Sequence, residues 1–128
     1  AQWGYENRTT AIRIPGGDLA SKRIEHRVAG GDTNPYLVMA AILGSALLGV
    51  EKKLNPIKPV MNNAYDNGAE NLALNWEDAI NYFENNKDIK KIFSTEIIEN
   101  LVRTKRQEIN EFKKIESSKH WKYYVSAI

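Results

Sequence analysis

The sequence predicts an α+β chain: an antiparallel β-hairpin that forms part of a larger sheet, followed by a mainly α-helical carboxyl-terminal region. Three observations lead there. Two runs rich in β-branched and aliphatic residues, Thr9 to Ile14 and Arg23 to Val28, flank the turn-rich Gly16-Gly17-Asp18 and read as paired strands. Behind Asn34-Pro35 comes a stretch, Tyr36 to Val50, without a charged residue. Further on, apolar residues recur at helical spacing in two separate segments.

Each element has its own local reason. A two-stranded hairpin is not stable alone and its edges need partners, so the strands are expected to complete a sheet built with sequence upstream of Ala1. Side chains alternate across a strand, which puts Arg23, Glu25 and Arg27 on one face and Ile24, His26 and Val28 on the other. Asn34 as N-cap and Pro35 in the first helical position start a helix over Tyr36 to Val50. Apolar all round, it is expected to be buried all round, with Gly44, Ser45 and Gly49 suited to close helix contact, and it is too short to cross a bilayer comfortably. Asn55 to Asn71, with Pro56, Pro59 and Gly68, reads as a loop whose composition argues against a core element. Asn75 caps a second helix, with Asp78 placed as in a capping box and Trp76, Ala79, Ile80 and Phe83 on its apolar side. From Ser94 or Thr95 a longer helix runs to about Ile115, with Ile98, Leu101, Ile109, Phe112 and Ile115 on its apolar side, and Ser117-Ser118 ends it. The final segment, with Trp121, Tyr123, Tyr124, Val125 and Ile128, is too apolar for a free tail and should dock on this domain or on a neighbouring subunit.

Composition bounds the function. A chain of 128 residues that is 42% hydrophobic and 27% charged can bury a core of its own. The absence of cysteine excludes disulfides and thiolate metal sites and favours an intracellular, cytoplasmic setting. A net charge of +2 is too small to imply nucleic acid or another polyanion. Lys113 and Lys114 alternate with Glu111 and Glu116, as on a solvated helix face. The distinctive chemistry is near the start, where Arg8, Arg13, Arg23 and Arg27 surround Glu25. Such a row suits either a surface ladder of opposite charges or a polyphosphate with its divalent cation, which wants guanidinium groups flanking a hard oxygen ligand. His26 adjoins Glu25 but points to the opposite strand face, so it should pack behind the site rather than share an ion. His120 has no partner pattern and reads as structural. No clustered Glu or His set is present to complete a metal site.

Four short motifs in order, Trp3-Gly4-Tyr5-Glu6-Asn7-Arg8, Ala11-Ile12-Arg13-Ile14-Pro15, Arg23-Ile24-Glu25-His26-Arg27 and Asn34-Pro35-Tyr36-Leu37-Val38, resemble consecutive motifs of the glutamine synthetase family. They are most similar to its γ-glutamylpolyamine (γ-glutamylputrescine) synthetase branch, and a weaker similarity continues to Trp121-Lys122-Tyr123-Tyr124. The resemblance implies that residues 1–128 are the carboxyl-terminal part of a longer catalytic domain, with active-site strands in 1–30 and a helical region in 34–128. The chemistry implied is ligation: ATP phosphorylates the γ-carboxylate of glutamate, and ammonia or an amine displaces phosphate from γ-glutamyl phosphate. By the same resemblance Glu25 matches a carboxylate that binds Mg²⁺ or Mn²⁺, Arg27 a contact to glutamate and the transferring phosphate, and Arg8 a contact to both nucleotide phosphate and substrate. Arg13 and Arg23 match nucleotide-phosphate contacts, although the turn between their strands is slightly shorter than in bacterial glutamine synthetases and Gly16-Gly17 departs from the usual pattern. The remaining metal and ATP ligands come from upstream segments in the family, whose members form ring-shaped homo-oligomers with active sites between subunits. The fragment alone is therefore expected to be inactive and to self-associate. The other reading is a non-catalytic binding or assembly module that retains the fold.

Overall fold

The computed structural model describes residues 2–66, 68 and 70–125, without the side chains of Tyr123 and Tyr124. Its order is β1 (Trp3–Tyr5), β2 (Ile12–Ile14), β3 (Glu25–His26), α1 (Pro35–Glu51), α2 (Trp76–Asn85), α3 (Ile89–Ile92), α4 (Thr95–Phe112) and α5 (His120–Val125). The chain divides into two compact units, Ala1–Leu72 and Ala73–Ile128.

In the first unit the strands form one sheet in the order β1-β2-β3. The antiparallel pair expected from the sequence is present, with Ile12 opposite His26 and Arg13 opposite Glu25. The pairing of β1 with β2 is parallel, Trp3 beside Ile12 and Tyr5 beside Ile14. Parallel neighbours ordinarily need a long crossover, and here a short connection suffices because the strands are only three residues long. It is folded on itself: Glu6 adopts the left-handed conformation at φ 51°, and Asn7 Oδ1 accepts from Thr9 N at 2.9 Å and Thr9 Oγ1 at 2.6 Å. The buried Thr10 hydroxyl bonds both Asn7 O and Ile12 O at 2.8 Å.

The loop after α1 departs from expectation. Val60 is buried, its N–H donates to Trp3 O at 2.9 Å, and Trp3 Nε1 donates to Ile57 O at 2.7 Å. Asn7 Nδ2 holds the same segment through Val60 O at 3.0 Å and Asn62 O at 2.8 Å. Composition favoured a solvated loop, but backbone groups of β1 needed partners and this segment supplies them. Gly4 lets it approach: a Cβ there would lie 2.6 Å from Val60 O.

α1 starts as read, with Asn34 Oδ1 accepting from Tyr36 N and Leu37 N and Pro35 opening the helix. Its burial does not follow. No α1 residue is buried, and Tyr36, Leu43 and Val50 are 83%, 62% and 75% exposed. Gly49 faces open space rather than a helix. An apolar surface specifies that a cover is favourable, and the described residues provide only part of one, leaving Leu37, Val38, Ile42 and Leu48 half-buried. None of the described helices is long and apolar enough to cross a membrane.

The second unit is an amphipathic pair. Asn75 caps α2, accepting from Asp78 N at 2.8 Å while its Nδ2 donates to Asp78 Oδ2 at 2.7 Å. Ser94 caps α4. α2 and α4 run antiparallel, since Trp76 meets Phe112 edge to face at 5.7 Å while Glu84 pairs with Arg106. Between them are buried Ile80, Ile98, Val102 and Ile109, joined in this unit by Phe93. The sequence reading did not name Val102, and it placed the end of α4 a turn late. The short α3 and α5 were not expected either. His120 is structural as read, its Nε2 2.9 Å from Ile115 O and its ring against Phe112. Trp121 and Val125 are exposed instead of docked on this unit, and Ile128 and the side chains of Tyr123 and Tyr124 lie outside the described residues.

Candidate functional site

The charged cluster is carried by β2, β3 and the end of β1. Register places Arg13 beside Glu25, so their side chains share a face. Arg13 Nη1 lies 3.2 Å from both Glu25 oxygens, and Arg27 Nη1 donates to Glu25 Oε2 at 2.9 Å. Glu25 and Arg27 therefore share a face, as strand alternation requires. Arg23 does not join them: its Nη1 donates to Ser21 O at 3.1 Å. Arg8 is exposed and has no hydrogen bond or ion pair among the described residues, although it is close enough to Glu6 to favour that carboxylate's charge. His26 is exposed, with Ile24 and Val28 on an open face, so the expected packing behind the strand is absent among the described residues.

Arg13 is the organising residue. Only 8% of it is exposed, yet both terminal nitrogens are engaged, Nη1 by Glu25 and Nη2 by Glu6 Oε2 at 2.6 Å. Its Nε is buried without a partner among the described residues. The hydrogen bonds it donates, to Glu6 first and then to Glu25, push the guanidinium still further toward its charged form. Glu25 is held below the ordinary carboxylate range, chiefly by the Arg27 hydrogen bond and then by Arg13. Glu6 is lowered by the Gly16 N–H and then by Arg13.

The sequence reading gave no role to Glu6, the second carboxylate of the cluster. Its position in the first motif was visible; its left-handed backbone and its return toward Gly16 were not. A divalent cation fits Glu25 as one hard anionic oxygen ligand, because the carboxylate is ionised and Oε1 takes only one long contact. Among the described residues no group of three His, Cys, Asp or Glu side chains could hold a metal on its own. The cluster is a set of guanidinium groups gathered around ionised carboxylates on a small sheet, a class of chemistry that can take up phosphoryl oxygens and lend one oxygen to a cation.

That class has a family. Residues 1–124 match the family described as glutamine synthetase, catalytic domain. The chain is 39% identical over 114 residues to a glutamate–isopropylamine ligase of Pseudomonas sp, covering 87% of this chain and 25% of the relative. It is 35% identical over 115 residues to γ-glutamylputrescine synthetase PuuA of Escherichia coli strain K12, covering 90% and 24%. A solved structure of apo GmaS without ligand superposes with a TM-score of 0.77 at 28% identity, covering 94% of this chain and 28% of that one. The chain belongs to the glutamine synthetase family, and it spans about a quarter of the length of the curated relatives it matches.

Proposed function

We propose that this chain forms the carboxyl-terminal portion of an ATP-dependent ligase that joins the γ-carboxylate of glutamate to ammonia or an amine through γ-glutamyl phosphate. The observation that carries the proposal is the Arg13–Glu25–Arg27 cluster, found on the strands that bear the family's motifs. Arg27 faces glutamate and the transferring phosphate, and Arg8, exposed and without a hydrogen bond or ion pair among the described residues, reaches nucleotide phosphate and substrate. Arg13 and Arg23 complete the nucleotide-phosphate side. Guanidinium groups suit this work because they hold fixed charge in a forked donor geometry that developing phosphoryl oxygens can use without reorganisation. Glu25 gives one oxygen to Mg²⁺ or Mn²⁺, which when bound offsets charge on the phosphoryl oxygens. The other ligands come from residues beyond this chain, since Glu25 alone is too few. The relatives named for isopropylamine and putrescine support an amine acceptor.

The test is phosphate release from ATP by the full-length protein, with glutamate and a panel of ammonia, isopropylamine and putrescine. Release that requires both glutamate and an acceptor is expected, and Glu25→Gln should lower turnover by about 100-fold or more, since losing a ligand costs at least as much as losing a group behind one, with assembly intact. Turnover independent of glutamate would overturn the ligase reading, and a Glu25→Gln enzyme with unchanged activity and Mg²⁺ dependence would leave Glu25 as a strand ion-pair partner only.

A further inference from the structure

Glu6 is held from three directions. Its backbone is in the left-handed region at φ 51°, its N–H donates to Ile14 O at 3.1 Å, and its Oε1 accepts from Gly16 N. A side chain more than half exposed would otherwise be free to move. What this restraint delivers is Oε2, at 2.6 Å from Arg13 Nη2.

An arginine beside a carboxylate tends to close a two-pronged pair, each terminal nitrogen on one oxygen. Arg13 does not do so with Glu25: one nitrogen straddles both oxygens at 3.2 Å while the other is turned to Glu6. The consequence is that Glu25 Oε1 keeps electron pairs unused by strong donors. Resting on the role proposed above for Glu25, we propose that Glu6 is a positioning residue that occupies the second prong of Arg13 and thereby keeps the Glu25 carboxylate open to a divalent cation. Without its charge, Arg13 would turn both prongs to Glu25 and compete with the cation for the same oxygens. The burial of Arg13 strengthens this competition, because a largely buried guanidinium depends on protein acceptors for its prongs.

The experiment measures Mn²⁺ binding directly, from the electron paramagnetic resonance signal of free Mn²⁺, on the full-length protein without nucleotide. Glu6→Gln should weaken binding roughly tenfold, the lower scale for losing a group behind a metal ligand, and Glu6→Asp should recover much of it. Gly16→Ala provides an independent perturbation, since its Cβ would lie 3.0 Å from Glu6 Oε1 and displace that carboxylate; it should weaken binding in the same direction. Wild-type affinity in Glu6→Gln, or equal losses in Glu6→Gln and Glu6→Asp, would overturn the proposal. Glu25→Gln separates the two readings: if it weakens Mn²⁺ binding and Glu6→Gln does not, only the positioning role fails. If Glu25→Gln binds Mn²⁺ like the wild type, the ligand role itself fails and takes the positioning role with it.

Discussion

The two units of this chain solve the problem of an interior in opposite ways. In Ala73–Ile128 the core is apolar, with Ile80, Phe93, Ile98, Val102 and Ile109 buried where α2 meets α4 and around them. In Ala1–Leu72 the buried side chains among the described residues are Val60, Thr10, Arg13 and Pro15, with Gly4 buried beside them, and what joins the segments is a set of hydrogen bonds and ion pairs running through Asn7, Glu6 and Arg13. Apolar burial is nondirectional and tolerant of small shifts, whereas a buried guanidinium is stable only while its partners stay in place. The difference teaches where each kind of interior is useful. A pair of amphipathic helices needs little beyond its own periodicity, while a site for charged ligands has to carry charge and keep it oriented.

Changes in the apolar unit should have the largest effect. Ile98 is 5% exposed, and Ile98→Ala should cost about 3 kcal/mol through lost burial and the cavity left behind. Urea unfolding followed by helical circular dichroism measures it; a loss below about 1 kcal/mol would mean that the helix pair collapses around the gap and is less tightly packed than its burial implies. Next comes close approach in the polar unit. Gly4→Ala places a methyl group 2.6 Å from a backbone oxygen that has little room to give, and should cost about 2 kcal/mol as the Val60 segment lifts from β1. Faster amide exchange at Val60 than in the wild type checks this, and unchanged protection would show that the segment rides on side chains rather than on the strand.

The smallest effect is that of acid on the charged cluster. Glu6 and Glu25 are both held below their ordinary value of 4.5. A depressed folded value means that the unfolded chain takes up protons first, so the contribution of these carboxylates is complete above about pH 4.5 and is lost as pH falls through their lower folded values. Amide protection in β2 and β3, corrected for intrinsic exchange, should therefore weaken on acidification below that point while protection in the middle of α4 changes less. Parallel loss in both units would erase the distinction between them.

Much of this contrast was legible in the residues. The caps Asn34 and Asn75 are local signals, satisfied within a few positions of themselves, and each stands where its spacing put it, while of the two starts Ser94 and Thr95 left open by the residues the structure takes Ser94 as cap. Strand alternation placed Glu25 and Arg27 together for the same reason, and the β2–β3 pairing followed from the turn between them. The core positions Ile80, Ile98 and Ile109 were set by helical periodicity. The charge of Arg8, Arg13, Arg23 and Arg27 was equally plain, but not its division, since Arg13 and Arg27 gather on Glu25 while Arg23 turns to Ser21 O.

What the sequence determined by itself, then, is everything encoded within one or two turns or one hairpin: helix starts, apolar faces, the antiparallel pair and the types of group available to the site. Tertiary structure alone decided the parallel seating of β1 on β2, the docking of Val60 along Trp3, the exposure of α1 and the sharing of Arg13 between Glu6 and Glu25. These depend on contacts between residues distant along the chain or on surfaces supplied from elsewhere. Periodicity tells which face of an element wants a partner; only the folded arrangement supplies one, and it does so by satisfying backbone and charged groups whose partners local sequence does not specify.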